Sequence, residues 1–244
     1  MENDWIPLGR GDRFQFACGP DVPCFNACCR DLNQFLTPYD ILRLKNHLDL
    51  TSGQFLGRFT ETHLGPQTGL PVVRLKAAED DLCCPFVSTA GCRVYQDCPS
   101  SCRTYPLARA VTRSRETGAL TEHFALMRED HCRGCGQGRI QTVKEWIVAQ
   151  ELECYNRYND MLMELIGMKN QYHPAPLDLR RQRVFAMALY DLDAFRGHLR
   201  AHGVPRELAV PAQREVERMT DDAALLIFSH VWLKWALFGK AAAA

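Results

Sequence analysis

The chain has 244 residues, of which 46% are hydrophobic and 24% charged. This length suits one large domain or a domain with an extension, and the composition excludes a disordered or collagen-like chain. With 29 Lys and Arg against 29 Asp and Glu, no net field steers the chain onto nucleic acid or an anionic membrane, and neither is expected as a partner.

In the first third, Thr37-Pro38 reads as an N-cap followed by proline at the first helical position, and Ile41, Leu42, Leu44 and Leu48 give an apolar face, so a helix is expected over about 38–48. Thr51 with Gln54 forms a second capping-box signal, ahead of Phe55, Leu56 and Phe59. Val72, Val73 and Leu75 read as a strand. Tyr105, Leu107 and Val111, followed by Leu120–Met127 across Thr117-Gly118, read as a hairpin. On the same segment Arg109, Arg113 and Arg115 alternate, the pattern of a solvated strand face.

Thr142 with Glu145 is a third capping box, and Ile147, Cys154, Tyr158, Met161 and Leu165 recur at three- and four-residue steps. A helix is expected over about 142–168, with Cys154 buried on its apolar stripe. A second stripe, Val184, Ala188, Leu192, Phe195 and Leu199, ends at Gly203-Val204-Pro205; a third helix is expected over 206–219 and a fourth from about Asp221. The fourth is apolar nearly all round, so it should pack on the other helices or on a partner. Its apolar run, Ala223–Phe238, spans 16 residues and holds His230 and Lys234, whereas a membrane span needs about 20 apolar residues. The reading is α+β and mostly helical, with a cysteine-rich metal-binding module of short strands over 1–140 and a helical extension over 141–244.

Twelve cysteines are the departure from ordinary composition, and eleven lie at or before Cys135. They fall in three groups: Cys18, Cys24, Cys28 and Cys29; then Cys83, Cys84, Cys92, Cys98 and Cys102; then Cys132 and Cys135, preceded by His131. The run Cys18-x5-Cys24-x3-Cys28 has the intervals of Cys92-x5-Cys98-x3-Cys102, which suggests two similar ligand loops. Short turns, permitted by nearby Gly and Pro, bring sulfurs at such spacings to one side. Soft sulfur donors in this number select zinc, iron-sulfur clusters or copper(I), and exclude calcium and magnesium. Four-coordinate zinc and four-cysteine clusters use the same ligand count, so count alone leaves zinc and iron-sulfur open. Arg30, Arg103 and Arg133, each following a cysteine, are candidates to offset thiolate charge. No basic and apolar leader marks the N-terminus, so a reducing cytoplasmic setting without disulfides is expected.

These residues resemble the YkgJ-type cysteine cluster family, the CxxCxxCC family, whose domain is associated with zinc or iron chelation. The resemblance runs over about 14–140, through Phe16-Ala17-Cys18, Cys28-Cys29-Arg30, Leu36-Thr37-Pro38-Tyr39-Asp40-Ile41, Cys84-Pro85-Phe86, Gly91-Cys92-Arg93-Val94-Tyr95, Cys102-Arg103-Thr104-Tyr105-Pro106 and His131-Cys132-Arg133-Gly134. It implies that Cys18, Cys24, Cys28, Cys29, Cys84, Cys92, Cys102 and Cys132 are the metal ligands. Two departures stand out: the family has closer spacing where Cys18-x5-Cys24-x3-Cys28 lies, and arginine where Cys98 stands. Cys83, Cys98 and Cys135 are additional. Flagellin lysine methylases look like relatives through the same signature, with methyl transfer associated with an iron-sulfur cluster.

The expected function is a cytoplasmic protein with one or two iron-sulfur clusters, of the 4Fe-4S type, supporting redox or methyl and other group transfer. A structural zinc module used for interaction is the alternative. Whether the chain is an enzyme stays open: it has no Cys-x3-Cys-x2-Cys of a radical S-adenosylmethionine enzyme and no glycine-rich strand-to-helix turn. Cys132-x2-Cys135 as a thiol redox pair is a third reading. The C-terminal helical surface is a candidate docking face for a protein partner.

Overall fold

The computed structural model describes residues 4–30, 33–78, 82–114, 116–208, 215 and 219–239. In chain order its elements begin with β1 (Asp4–Leu8), β2 (Arg13–Phe16), β3 (Phe35–Leu36), α1 (Pro38–His47), α2 (Ser52–Phe59), β4 (Thr60–Leu64) and β5 (Pro71–Leu75). There follow β6 (Val87–Ser88), β7 (Gly91–Cys92), α3 (Ser100–Thr104), β8 (Leu107–Arg113), β9 (Leu120–Arg128) and β10 (Cys135–Thr142). The chain continues with α4 (Val143–Ala149), α5 (Leu152–Tyr172), α6 (Leu179–Tyr190), α7 (Leu192–His202) and α8 (Asp222–Phe238). The fold is α+β, with helices in 47% of it and small antiparallel sheets for the rest of its regular structure.

The sequence suggests a single division near residue 140; contacts divide the chain differently, into one unit of 1–33 with 77–156 and a second of 34–76 with 157–244. The reason lies in the apolar faces of α1, α2 and β5. Within the second unit α1 packs on α6 and α8, α2 on α7, and β5 on α6, burying Ile41, Leu44, Phe55 and Val73. Sequence proximity to the cysteines therefore does not decide where this segment packs. No helix among the described residues is long and apolar enough to cross a membrane.

In the first unit β1, β9 and β8 form one antiparallel sheet, in that order, and β10 pairs with β2. Alternation buries Phe14 and Phe16 of β2 beneath Leu107, Phe124, Leu126, Val143, Ile147 and Leu152. Trp146 of α4 meets Phe14 and Phe16 edge-on at 5.9 and 5.8 Å, and its indole N–H donates to the Thr104 carbonyl at 3.1 Å. The expected hairpin is β8–β9, closing over Ser114–Ala119.

All three capping boxes form: Thr37 with Asp40, Thr51 with Gln54 and Thr142 with Glu145. The helix expected over 142–168 is two helices. Glu151 adopts a left-handed backbone, φ 52°, between α4 and α5, and the Gln150 carbonyl is taken by Arg103 at 2.9 Å. This restart shifts the phase of the stripe: Tyr155 becomes fully buried at 0% exposure, and Cys154, expected inside, is exposed. The second stripe is likewise cut in two at Asp191, whose carboxylate accepts from Ala194 N–H at 3.2 Å and Ser52 Oγ at 2.7 Å. Of the helix expected over 206–219, Arg206–Leu208 form a single 3-10 turn, and most of the remainder lies outside the described residues.

In the second unit β3, β5 and β4 make an antiparallel sheet in that order. Buried Lys45 pairs with Asp222 at 2.6 Å, and Arg196 bridges Asp193 and Asp222. These ions line an open cleft of about 960 Å³ with Arg200 and Thr220, and their charges are matched within it. Asp193 and Asp222 are held below the usual carboxylate range by their hydrogen bonds to Ser52 and to Lys45 with Arg196, which outweigh burial acting in the opposite direction.

Candidate metal centre

All twelve cysteines are free thiols. The loop geometry around them is set by main-chain hydrogen bonds. Ala17 N–H donates to the Gly134 carbonyl at 3.1 Å, and Cys135 is registered opposite Phe16, so Cys18 comes alongside the 132–135 turn. Gly134 permits this approach: a Cβ there would collide with the Ala17 carbonyl oxygen and lie 2.7 Å from the Phe16 ring. On the same side Arg133 N–H donates to Cys24 Sγ at 3.0 Å.

A second convergence joins the first and middle groups. Cys84 N–H donates to the Cys29 carbonyl at 2.8 Å, and Arg30 bridges Cys83. The short β6–β7 hairpin pairs Val87 with Cys92, while Val87 N–H donates to the Cys84 carbonyl at 3.1 Å. Cys84 and Cys92 are thereby neighbours, with Cys102 entering from α3.

Electrostatics divide the thiols the same way. Cys18 is pushed up to about 11, first by burial and then by repulsion from Cys28, Cys24 and Cys132. Cys29 is raised by its hydrogen bond with Cys28, by burial, and by Cys28, Cys84 and Cys102. Cys84 is raised by burial, then by Cys92 and Cys83 against opposing backbone donors; burial also raises Cys92. Cys28 is lowered to about 6, chiefly because the Cys29 thiol donates to it, with His131 assisting. One neighbourhood thus gathers Cys18, Cys24, Cys28 and Cys132 with Cys135 beside them, and another Cys29, Cys84, Cys92 and Cys102 with Cys83 beside them. The vicinal Cys28-Cys29 pair stands between them.

Of the three cysteines additional to the family pattern, Cys83 lies beside Cys84, and Cys135 and Cys98 fall in different surroundings. Cys135 lies beside Cys132 and Cys24, and is raised by burial and then by Cys132. Cys98 is 3% exposed, as a small core hydrophobe would be. Arg103, a candidate counter-charge, is instead committed to the carbonyls of Tyr95 and Gln150 and to the face of Tyr155. Among the described residues Arg93 acts on Cys92, Arg128 on Cys135 and His131 on Cys28; of these, only Arg93 directly follows a candidate ligand. His131 is exposed and 3.7 Å from Glu129. Arg109 pairs with Glu122 at 2.8 Å with its side chain only 11% exposed, so it does not lie on the solvated face that the alternation suggests, and Arg115 lies outside the described residues. A hollow of about 530 Å³, lined by Asp4, Arg128, Glu129, Asp130, Cys132, Arg133 and Cys135, opens beside the first neighbourhood.

Among the described residues no three Cys, His, Asp or Glu side chains are drawn into metal-holding geometry as they stand. The thiols are neighbours without being a closed coordination shell. In chemical type the surroundings suit a thiophilic ion: thiolates that repel one another, an amide N–H directed at Cys24 Sγ, and a buried phenol, Tyr105 Oη, that lacks a hydrogen-bond partner.

Residues 17–133 match the model of the family CxxCxxCC, described as "Putative zinc- or iron-chelating domain". Over this segment the chain is similar to the CxxCxxCC family. The CxxCxxCC segment takes in all eight cysteines that the family resemblance proposes as ligands, and also 34–76, which packs in the second unit. Among curated proteins and among solved structures, none matches the chain.

Proposed function

We propose that this chain is a metal-centre protein in which cysteine thiolates hold iron-sulfur clusters of the 4Fe-4S type. Cys18, Cys24, Cys28 and Cys132 would hold one centre and Cys29, Cys84, Cys92 and Cys102 a second. The observation that supports this most is the gathering of the thiols into two neighbourhoods, each of which holds the four cysteines that one cubane takes, with Cys135 beside the first and Cys83 beside the second. Such a cluster supplies one-electron chemistry, and with it redox or methyl and other group transfer. Around it the chain's own groups have definable tasks: Arg133 N–H and Arg128 reduce the negative charge on sulfur, and the hollow at Asp4 and Arg128 admits small molecules or a partner's side chain. Exposed Met163 and Leu179 offer apolar docking points for a protein partner on the helical surface. A reducing cytoplasmic compartment would keep all twelve thiols free.

The zinc reading has its own support, since each neighbourhood would equally close a tetrahedron of four thiolates and the matched family is described for zinc or iron. Purification under exclusion of oxygen, with metal analysis, acid-labile sulfide assay and visible spectroscopy, decides between them. The iron-sulfur reading expects iron and sulfide in equal amounts and a brown protein; a colourless protein with stoichiometric zinc overturns it.

A further inference from the structure

Tyr105 occupies an unusual place. Its ring is packed on the core of the first unit and held edge-on by Phe16, centroids 5.6 Å apart at 72°. Its Oη is buried and meets no acceptor at full hydrogen-bonding geometry, while Cys132 first and then Glu129 are the side chains close enough to act on it as acceptors. A buried hydroxyl without a partner costs stability, so such a group in a packed core calls for a reason. Cys132 packs against the same core cluster as Tyr105. Glu129, which also acts on the phenol, is partly exposed and 3.7 Å from His131.

A thiol is a weak acceptor, whereas a metal-bound thiolate carries negative charge and lone pairs that accept strongly. We propose that Tyr105 is a positioning residue for the metal centre, its phenol donating to the Cys132 sulfur when that sulfur is a metal-bound thiolate. This rests on the metal-centre reading above. It gives the phenol a second role besides packing: it fixes the orientation of the sulfur and withdraws charge from it, as outer hydrogen-bond donors do at metal sites. Phe16 of β2 packs on the ring, and β2 pairs with β10, which begins three residues after Cys132, so the ring and the sulfur lie against the same strand pair.

The test uses the full chain, reduced and metal-free, titrated with cobalt(II) under exclusion of oxygen and followed by the sulfur-to-cobalt charge-transfer band. Tyr105→Phe should weaken binding about tenfold and move the band to longer wavelength, because a sulfur without its donor gives up electron density more easily. The metal-free variant should melt at a higher temperature than the parent, since the unpartnered hydroxyl is gone. Opposite signs of the two effects separate positioning from simple packing. The same loss should appear when Tyr105→Phe is made in a Glu129→Gln background. Unchanged affinity and band position, a loss of affinity accompanied by lower metal-free melting, or disappearance of the effect in the Glu129→Gln background each overturns the proposal while leaving the centre in place. Failure of the parent chain to bind cobalt overturns the metal-centre reading itself.

Discussion

Cys28 and Cys29 share a hydrogen bond that separates their acidities, holding Cys28 down near 6 while Cys29 is driven up. Thiolate is the nucleophile, so in the reduced, metal-free protein Cys28, which is also exposed, should alkylate first. Its labelling rate by iodoacetamide should rise as pH increases through about 6 and level off above it, while Cys18, at about 11, remains slow at neutral pH. Peptide mapping after short exposures checks this, and preferential labelling of Cys18 would contradict it. Gly134 makes a different prediction. Because any Cβ there meets the Ala17 carbonyl and the Phe16 ring, Gly134→Ala should cost about 1–3 kcal/mol and part the 132–135 turn from Cys18. A fall in melting temperature together with reduced metal per chain is the expected result.

Among the elements, α1, α2, α4 and the β8–β9 hairpin are readable in the sequence because their signals are local: a Thr with its partner three residues on, or a Gly between two alternating runs. The breaks at Glu151 and Asp191 are not readable in this way. Periodicity continues across both, and what interrupts the backbone is distant, Arg103 reaching the Gln150 carbonyl and Ser52 reaching Asp191. β10 escapes for another reason, since Gly136 and Gly138 leave no alternating pattern in Cys135–Thr142. The left-handed Glu151 carries a cost of about 1 kcal/mol that glycine would not pay. Glu151→Gly should therefore raise the melting temperature without changing helical circular dichroism; a lower melting temperature would mean that the Glu side chain contributes more than its backbone costs.

Over the whole molecule, the two units should answer to different perturbations. His230 of α8 is 2% exposed, and burial lowers it to about 4, so it folds as the neutral ring. The unfolded chain, with an ordinary histidine, binds the extra proton first; stability should be intact above about 6.5 and fall as pH drops toward 4, by up to about 3 kcal/mol. His230→Leu should flatten that acid slope in thermal melts, and an unchanged slope would exclude His230 as its source. Chelation, in contrast, should act on the thiol-bearing loops and spare most helical signal, because α6, α7 and α8 lie in the unit without those thiols. The candidate site was legible in the sequence as a set of residue types and intervals, through Cys18, Cys84 and their companions. Its partition was not, because Cys29 and Cys84 meet through a main-chain bridge between segments more than fifty residues apart, and Tyr105 carries no spacing signal that would single out an unsatisfied hydroxyl.

One peptide unit, about 3.8 Å between alpha carbons, is all that separates Cys28 from Cys29, whose sulfurs answer to different sets of thiols. An oxidant or alkylating agent that consumes either member also removes the hydrogen-bond partner of the other. A single covalent lesion at this dipeptide is consequently registered on both sides at once, and a lengthening of the chain by one residue between them would be the smallest change able to insulate one side from the other.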